Sequence, residues 1–190
     1  MRSIINLSTI IMTAANIADT EGLDAVTLTR TAEKLNIKKQ SLYNHIKNLA
    51  HLKCELIIYA NAQLRQHLIQ AVIGKAREEA ILGAAESYRN FAHDHPGQYQ
   101  AIISLSWEFK DDEKFQASTH ALMEILFKIL SAYQLHEDYL THAVRGLRSI
   151  MHGFISLENS GWFHQPIDKD ESYRLLLQTF INGIKSIEKK

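Results

Sequence analysis

Thr27-Leu28-Thr29-Arg30-Thr31-Ala32-Glu33-Lys34-Leu35-Asn36-Ile37-Lys38-Lys39-Gln40-Ser41-Leu42-Tyr43-Asn44-His45-Ile46-Lys47-Asn48 is the stretch whose reading decides the fold. Thr27 is a good helix N-cap, and Leu28, Ala32 and Leu35 fall on one stripe of a short helix. Asn36 follows, one of the few residue types that enter the left-handed region, so the chain can turn there. A second short helix is expected from about Lys39 to His45, burying Leu42 and Ile46. Lys39, Gln40, Tyr43, Asn44 and the backbone of Ser41 are then directed outward. A brace, a tight turn and a basic, polar second helix are what a major-groove reader needs. Gln and Asn pair bidentately with adenine, Lys reaches guanine acceptors, and Tyr or Ser holds phosphate.

Outward from this stretch the periodicity stays helical, and sustained period-two alternation is missing. Upstream, Ile10, Ile11, Ala14, Ile17 and Ala18 share the face of a first helix, which Gly22 can end in a left-handed cap. Downstream, Asn48 can cap a long helix from Leu49 to about Val72. A helix from about Glu78 to Asp94 is closed by His95-Pro96-Gly97, read as a turn, and a short helical piece follows near Gln98 to Ser104. Asp112 begins a helix reaching about Tyr133. Tyr139 to Glu158 forms another, and Asp168 with Glu171 makes a capping box before the last. The expected fold is all-α in two domains: residues 1–53, a three-helix helix-turn-helix unit, and residues 54–190, a second helical unit.

Charge supports that division. The 190 residues carry 21 basic and 21 acidic side chains, yet residues 1–53 hold seven Lys or Arg against four Asp or Glu, leaving 14 against 17 for the rest. A local basic cluster on an otherwise acidic chain suits phosphate binding. Cys54 is the one cysteine, so an intrachain disulfide is excluded and a reducing cytoplasm is the expected compartment. No run reaches the ~18 consecutive apolar residues of a membrane span, and the N-terminus lacks a long apolar signal core.

The run from Ala14-Ala15 through Gly22-Leu23-Asp24-Ala25-Val26-Thr27, then Ala32, Leu35, Ile37 and Ser41-Leu42-Tyr43-Asn44-His45-Ile46-Lys47-Asn48, resembles the N-terminal domain of TetR family regulators. Its Leu-Tyr-x-His-hydrophobic-Lys-Asn string is especially similar to that of tetracycline repressors. Arg145-Gly146-Leu147-Arg148-Ser149-Ile150-Met151-His152-Gly153-Phe154-Ile155-Ser156-Leu157-Glu158 is similar to the WHG type of C-terminal domain in that family. The resemblance implies about nine helices, a homodimer formed by the last two, and repression at operator DNA relieved by a small-molecule effector. It carries DNA contacts over to Thr27, Thr29, Lys39, Gln40, Ser41, Tyr43, Asn44, His45 and Lys47. Three positions depart from the family pattern. Asn36 stands for the usual turn glycine, Lys38 for a Ser or Thr cap, and Leu49 for a lysine that touches phosphate.

In the C-terminal part, Tyr88, Trp107, Phe109, Met123, Phe127, His152 and Phe154 are the candidates to line an apolar effector pocket. Each also suits plain core. The wide apolar stripes of the last two helices nominate Leu147, Met151, Phe154, Leu176, Phe180 and Ile184 for a dimer interface. A symmetric dimer supplies two readers spaced by one or more DNA turns, as a palindromic operator requires. His93-x-His95, beside Pro96 and without cysteine or a second cluster, reads as a polar loop rather than a metal site. No Gly-x-Ser-x-Gly elbow or glycine-rich phosphate loop is present, so neither an enzyme nor a cofactor is expected. The alternative function is a helical small-molecule-binding or interaction protein of this fold that has lost specific DNA binding.

Overall fold

The computed structural model describes residues 5–188, and among them every regular element is helical. Contacts divide the chain into two compact units, Met1–Leu64 with Phe91–Leu122, and Arg65–Asn90 with Met123–Lys190.

In the first unit, α1 (Leu7–Glu21) starts where Asn6 Oδ1 accepts the Thr9 N–H at 2.9 Å and ends at Gly22, whose φ of 90° excludes most side chains. Its buried face is Ile10, Ile11, Ala14, Ala15, Ile17 and Ala18. A 3-10 turn (Leu23–Ala25) leads to α2 (Leu28–Lys34), capped by Thr27 Oγ1, which accepts the Arg30 N–H at 3.0 Å. α3 (Lys39–Leu42) is short. α4 (Leu49–Val72) begins at Asn48, whose Oδ1 accepts the His51 N–H at 2.8 Å.

α5 (Arg77–Asp94) is followed directly by α6 (Pro96–Ser104). The His95-Pro96-Gly97 turn expected from sequence is therefore a helix start. Proline at the first position loses nothing there, because its missing N–H would have had no partner in the helix. Gly97 serves a packing need. A Cβ built on it would lie 2.0 Å from the carbonyl carbon and oxygen of Ala18, so only glycine lets α6 lie against α1. The adjoining Asp19 carboxylate accepts from the Gln98 N–H at 2.9 Å and from Gln98 Nε2 at 2.7 Å, with His95 Nδ1 at 3.1 Å. This polar clasp ties the helix-turn-helix to α6. α7 (Glu113–Ser131) starts at Asp112, whose Oδ1 accepts the Phe115 N–H, and Asn61 on α4 donates to Ser118 Oγ at 3.0 Å. Cys54 is buried, and burial pushes its thiol up to about 11, which leaves it unreactive.

The second unit holds α8 (Glu137–Asn159) and α9 (Lys169–Ser186). Asp168 caps α9 through the Asp170 and Glu171 N–H groups, but Glu171 does not reach back to complete the expected box. Its carboxylate takes Arg174 instead, at 2.6 Å and 2.9 Å. Arg89 on α5 holds Glu158 on α8 in a two-point ion pair (2.6 Å and 2.8 Å) and also reaches Asp170. Its guanidinium lies over the rings of Phe154 and Tyr173, and the Tyr173 hydroxyl donates to the Ala85 carbonyl at 3.0 Å. Aromatic faces and a largely desolvated ion pair thus join α5, α8 and α9.

Candidate nucleic-acid interface

The reading segment is anchored by Leu42 and Ile46, both fully buried. Ahead of it, α2 ends in paired bonds: Ile37 N–H to the Ala32 carbonyl at 3.0 Å and Asn36 N–H to the Glu33 carbonyl at 3.0 Å. This is a Schellman closure, and it needs a residue with positive φ; Asn36, at 53°, fills the place of the family's glycine. Lys38 sits at the start of α3 without a side-chain cap bond, as its identity predicts. α3 is only four residues long, shorter than the segment to His45 read from the sequence. The chain beyond Leu42 tightens through Tyr43 N–H to the Gln40 carbonyl and His45 N–H to the Leu42 carbonyl, so Tyr43, Asn44 and His45 project from a turn.

Thr29, Lys39, Gln40, Tyr43, Asn44, His45 and Lys47 are all exposed, while Thr27 and Ser41 are half-buried. Thr27 is occupied as the α2 cap. The segment therefore presents two amide-bearing or cationic donors on α3, Lys39 and Gln40, with an aromatic hydroxyl and a further amide one turn on. Those groups match base-edge and phosphate chemistry.

Electrostatics trims the basic cluster. Arg30 binds Glu21 through Nε at 2.7 Å and Nη2 at 3.0 Å and reaches Glu33 at 3.2 Å, and Lys34 binds Glu21 at 2.9 Å. The two cations hold the Glu21 carboxyl down at about 2. Lys38, Lys39 and Lys47 have no ion pair among the described residues, so they carry the uncompensated charge beside the reading segment. Sequence alone counted all of these cations alike, because Glu21 lies on a different helix from the residues it neutralises.

The nominated effector residues are dispersed. Trp107 and Phe109 belong to the first unit; Trp107 is 77% exposed, with Lys110 Nζ 4.2 Å from its ring centroid. Tyr88, Met123, Phe127, His152 and Phe154 belong to the second. Tyr88 is buried, and Met123, Phe127 and His152 are half-buried. Burial, helped by Arg148, lowers the His152 pKa and favours the neutral ring. Phe154 packs on Phe163 and Tyr173, with centroids 4.9 Å and 4.8 Å away, and lines a cleft at the α8–α9 turn.

Of the residues nominated for a dimer interface, Leu147, Met151, Phe154 and Ile184 are buried in the protomer's own core, Phe180 is half-buried and Leu176 is exposed. The open apolar surface lies about a quarter-turn round each helix. On α8 it runs Gly146, Ile150, Gly153, Leu157, and on α9 Leu176, Phe180, Gly183 and on to Ile187, the same four-three-four spacing on both. The stripes adjoin, since a Cβ on Gly146 would lie 3.3 Å from the Phe180 ring. That paired spacing is the signal in the sequence that finds them.

Among the described residues no helix is long and apolar enough to cross a membrane. Residues 81–180 match the family model "Tetracyclin repressor-like, C-terminal domain". The chain is 32% identical over 177 residues to the HTH-type transcriptional regulator YobS of Bacillus subtilis, covering 92% of this chain and 90% of that one. It is 32% identical over 172 residues to the HTH-type transcriptional regulator Rv0681 of Mycobacterium tuberculosis, covering 90% and 78%. Among solved structures, the fold is similar to that of the Streptomyces coelicolor TetR family protein ActR in complex with (S)-DNPA. The TM-score is 0.70 at 19% identity, over 96% of this chain and 98% of that one.

Proposed function

This chain belongs to the TetR family of HTH-type transcriptional regulators, and on that premise we propose that it is a cytoplasmic, homodimeric repressor released from a palindromic operator by a small molecule. The observation that carries the reading is the exposed set Lys39, Gln40, Tyr43 and Asn44, of which Lys39 has no ion pair among the described residues, on a segment anchored by the fully buried Leu42 and Ile46. In this reading Lys39, Gln40 and Asn44 meet base edges, Tyr43 and Lys47 meet phosphate, and Thr27, Thr29, Ser41 and His45 flank them. Residues 1–53 are the DNA-binding part, residues 54–190 serve effector binding and dimerisation, and no catalytic step is assigned.

Dimerisation is assigned to the paired stripes of α8 and α9. Leu157, Leu176 and Ile187 are 46%, 36% and 46% exposed, and a Cβ on Gly153 or Gly183 would meet no atom within 4 Å. Burying those side chains against a second copy contributes roughly 25 cal/mol per Å2 of apolar surface removed from water. Two readers on one symmetric dimer then span half-sites about 34 Å apart. Effector and operator weaken each other reciprocally, as linkage demands.

Selection of binding sites from random-sequence duplex DNA tests this, with affinities measured at one fixed salt concentration. A palindromic consensus is expected, with Lys39→Ala and Tyr43→Ala each weakening it by about tenfold or more, from ~1–3 kcal/mol per lost contact. Binding without sequence preference, unchanged in both variants, would instead favour a helical ligand-binding protein of the same fold.

A further inference from the structure

From the cleft at the α8–α9 turn we infer a binding site for a small aromatic carboxylate. This deepens the effector reading above and rests on it for its regulatory meaning. The cleft lies wholly within the second unit, opens to solvent on one side and has a volume of about 230 Å3. That is below the roughly 300–1,000 Å3 of sites for drug-sized ligands, and it suits a one-ring acid.

Its chemistry is divided. Phe154 and Phe163, with ring centroids 4.9 Å apart, and the exposed Trp162 supply aromatic surface. His164, Gln165 and Lys169 line the same cleft, and the side chain of none of them has a hydrogen bond or ion pair among the described residues. No Asp or Glu is in the lining. The neighbouring acids are engaged: Asp168 Oδ1 accepts the N–H groups of Asp170 and Glu171, and the Asp170 carboxylate takes Arg89 at 2.7 Å. Ser172, also in the lining, already donates to the Asp168 carbonyl at 2.9 Å and acts as wall. What remains is one cation, one amide and one imidazole facing an apolar, aromatic concavity. Such a set takes an anion carried on a ring. The ring stacks on the phenylalanines and the carboxylate meets Lys169.

The site reaches the rest of the fold through one residue. Phe154 also packs on Tyr173, and Arg89 lies over both rings while holding Glu158. A ligand seated on Phe154 therefore bears directly on the join of α5 to α8 and α9.

The two tryptophans give a direct assay, since Trp162 lines the cleft and Trp107 lies in the other unit. In full-length Trp107→Phe protein, Trp162 emission is followed as phenylacetate is added, with neutral phenylacetamide as control. A saturable change is expected, with phenylacetate bound about tenfold more tightly than the amide. Lys169→Gln removes that preference, and Lys169→Arg restores it. No saturation, or saturation equally strong for the amide and in Lys169→Gln, overturns the site. Emission that responds to protein dilution instead of phenylacetate also overturns it, in favour of a second copy covering Trp162. Operator affinity of the unmodified chain is measured alongside. Intact operator binding without phenylacetate saturation overturns the site alone. Saturation without any operator binding supports the site while removing its regulatory meaning.

Discussion

Replacing Gly97 by alanine tests the claim that α1 and α6 are welded. The added Cβ would sit 2.0 Å from both the carbonyl carbon and the oxygen of Ala18, and 2.6 Å from the Asp19 nitrogen. All three are backbone atoms of α1, so no rotamer can move them aside. Restoring ordinary contact near 3.4 Å requires the helices to separate by about 1.4 Å. The bonds from Gln98 to Asp19, now 2.9 Å and 2.7 Å, would then pass beyond hydrogen-bonding range. Overpacking costs ~1–3 kcal/mol, and each lost bond to the carboxylate costs ~1.5–3 kcal/mol. Alanine's better helix propensity returns only ~1 kcal/mol. The net expectation is a loss of about 3 kcal/mol or more. Urea unfolding at one protein concentration should show the midpoint falling by at least ~1 M, given slopes of ~1–3 kcal/mol/M. Adding Ala18→Gly should give no rescue, because the obstruction is the main chain of residue 18. A Gly97→Ala protein as stable as the parent, or rescue by Ala18→Gly, would refute the packing argument.

Three further outcomes follow from the same geometry. The Glu21 carboxyl lies at about 2 in the fold against an ordinary 4.5, so its stabilisation is complete above the unfolded value and drains away as pH falls from about 4.5 through 2; acid unfolding followed by circular dichroism should lose that component in Glu21→Gln. Arg89→Ala removes the two-point ion-pair partner of the Glu158 carboxylate, whose side chain is 9% exposed, and should cost up to ~3–5 kcal/mol in urea unfolding, whereas Arg89→Met with Glu158→Leu should cost less. Leu157→Arg with Leu176→Arg places charge on both open stripes and should give a monomer in sedimentation equilibrium with far weaker operator binding; an unchanged dimer would move the interface elsewhere.

What the sequence by itself determined is mostly what lies within a turn or two of the chain, although Pro96 opens a helix, α3 stops at Leu42 and Glu171 turns to Arg174 instead of closing its box. Thr27, Asn48, Asp112 and Asp168 each cap the helix that follows, because a cap is a bond across two or three residues. Asn36 announced the left-handed closure of α2 for the same reason. The outward set on the reading segment followed from the burial of Leu42 and Ile46, and the family resemblance followed chiefly from the residues between Ala14 and Asn48. The tertiary structure decided whatever depends on a partner far along the chain. Glu21 cancels Arg30 and Lys34 from another helix. Gly97 reads as a turn residue until Ala18, 79 positions earlier, is seen against it. Periodicity gave α8 and α9 wide apolar faces, but which part the protomer's own core consumes is set by neighbouring helices. Leu147, Met151, Phe154 and Ile184 therefore turn inward, while Leu157 and Leu176 stay open. Helical spacing defines the direction of a side chain about its own axis, and only packing defines what lies in that direction.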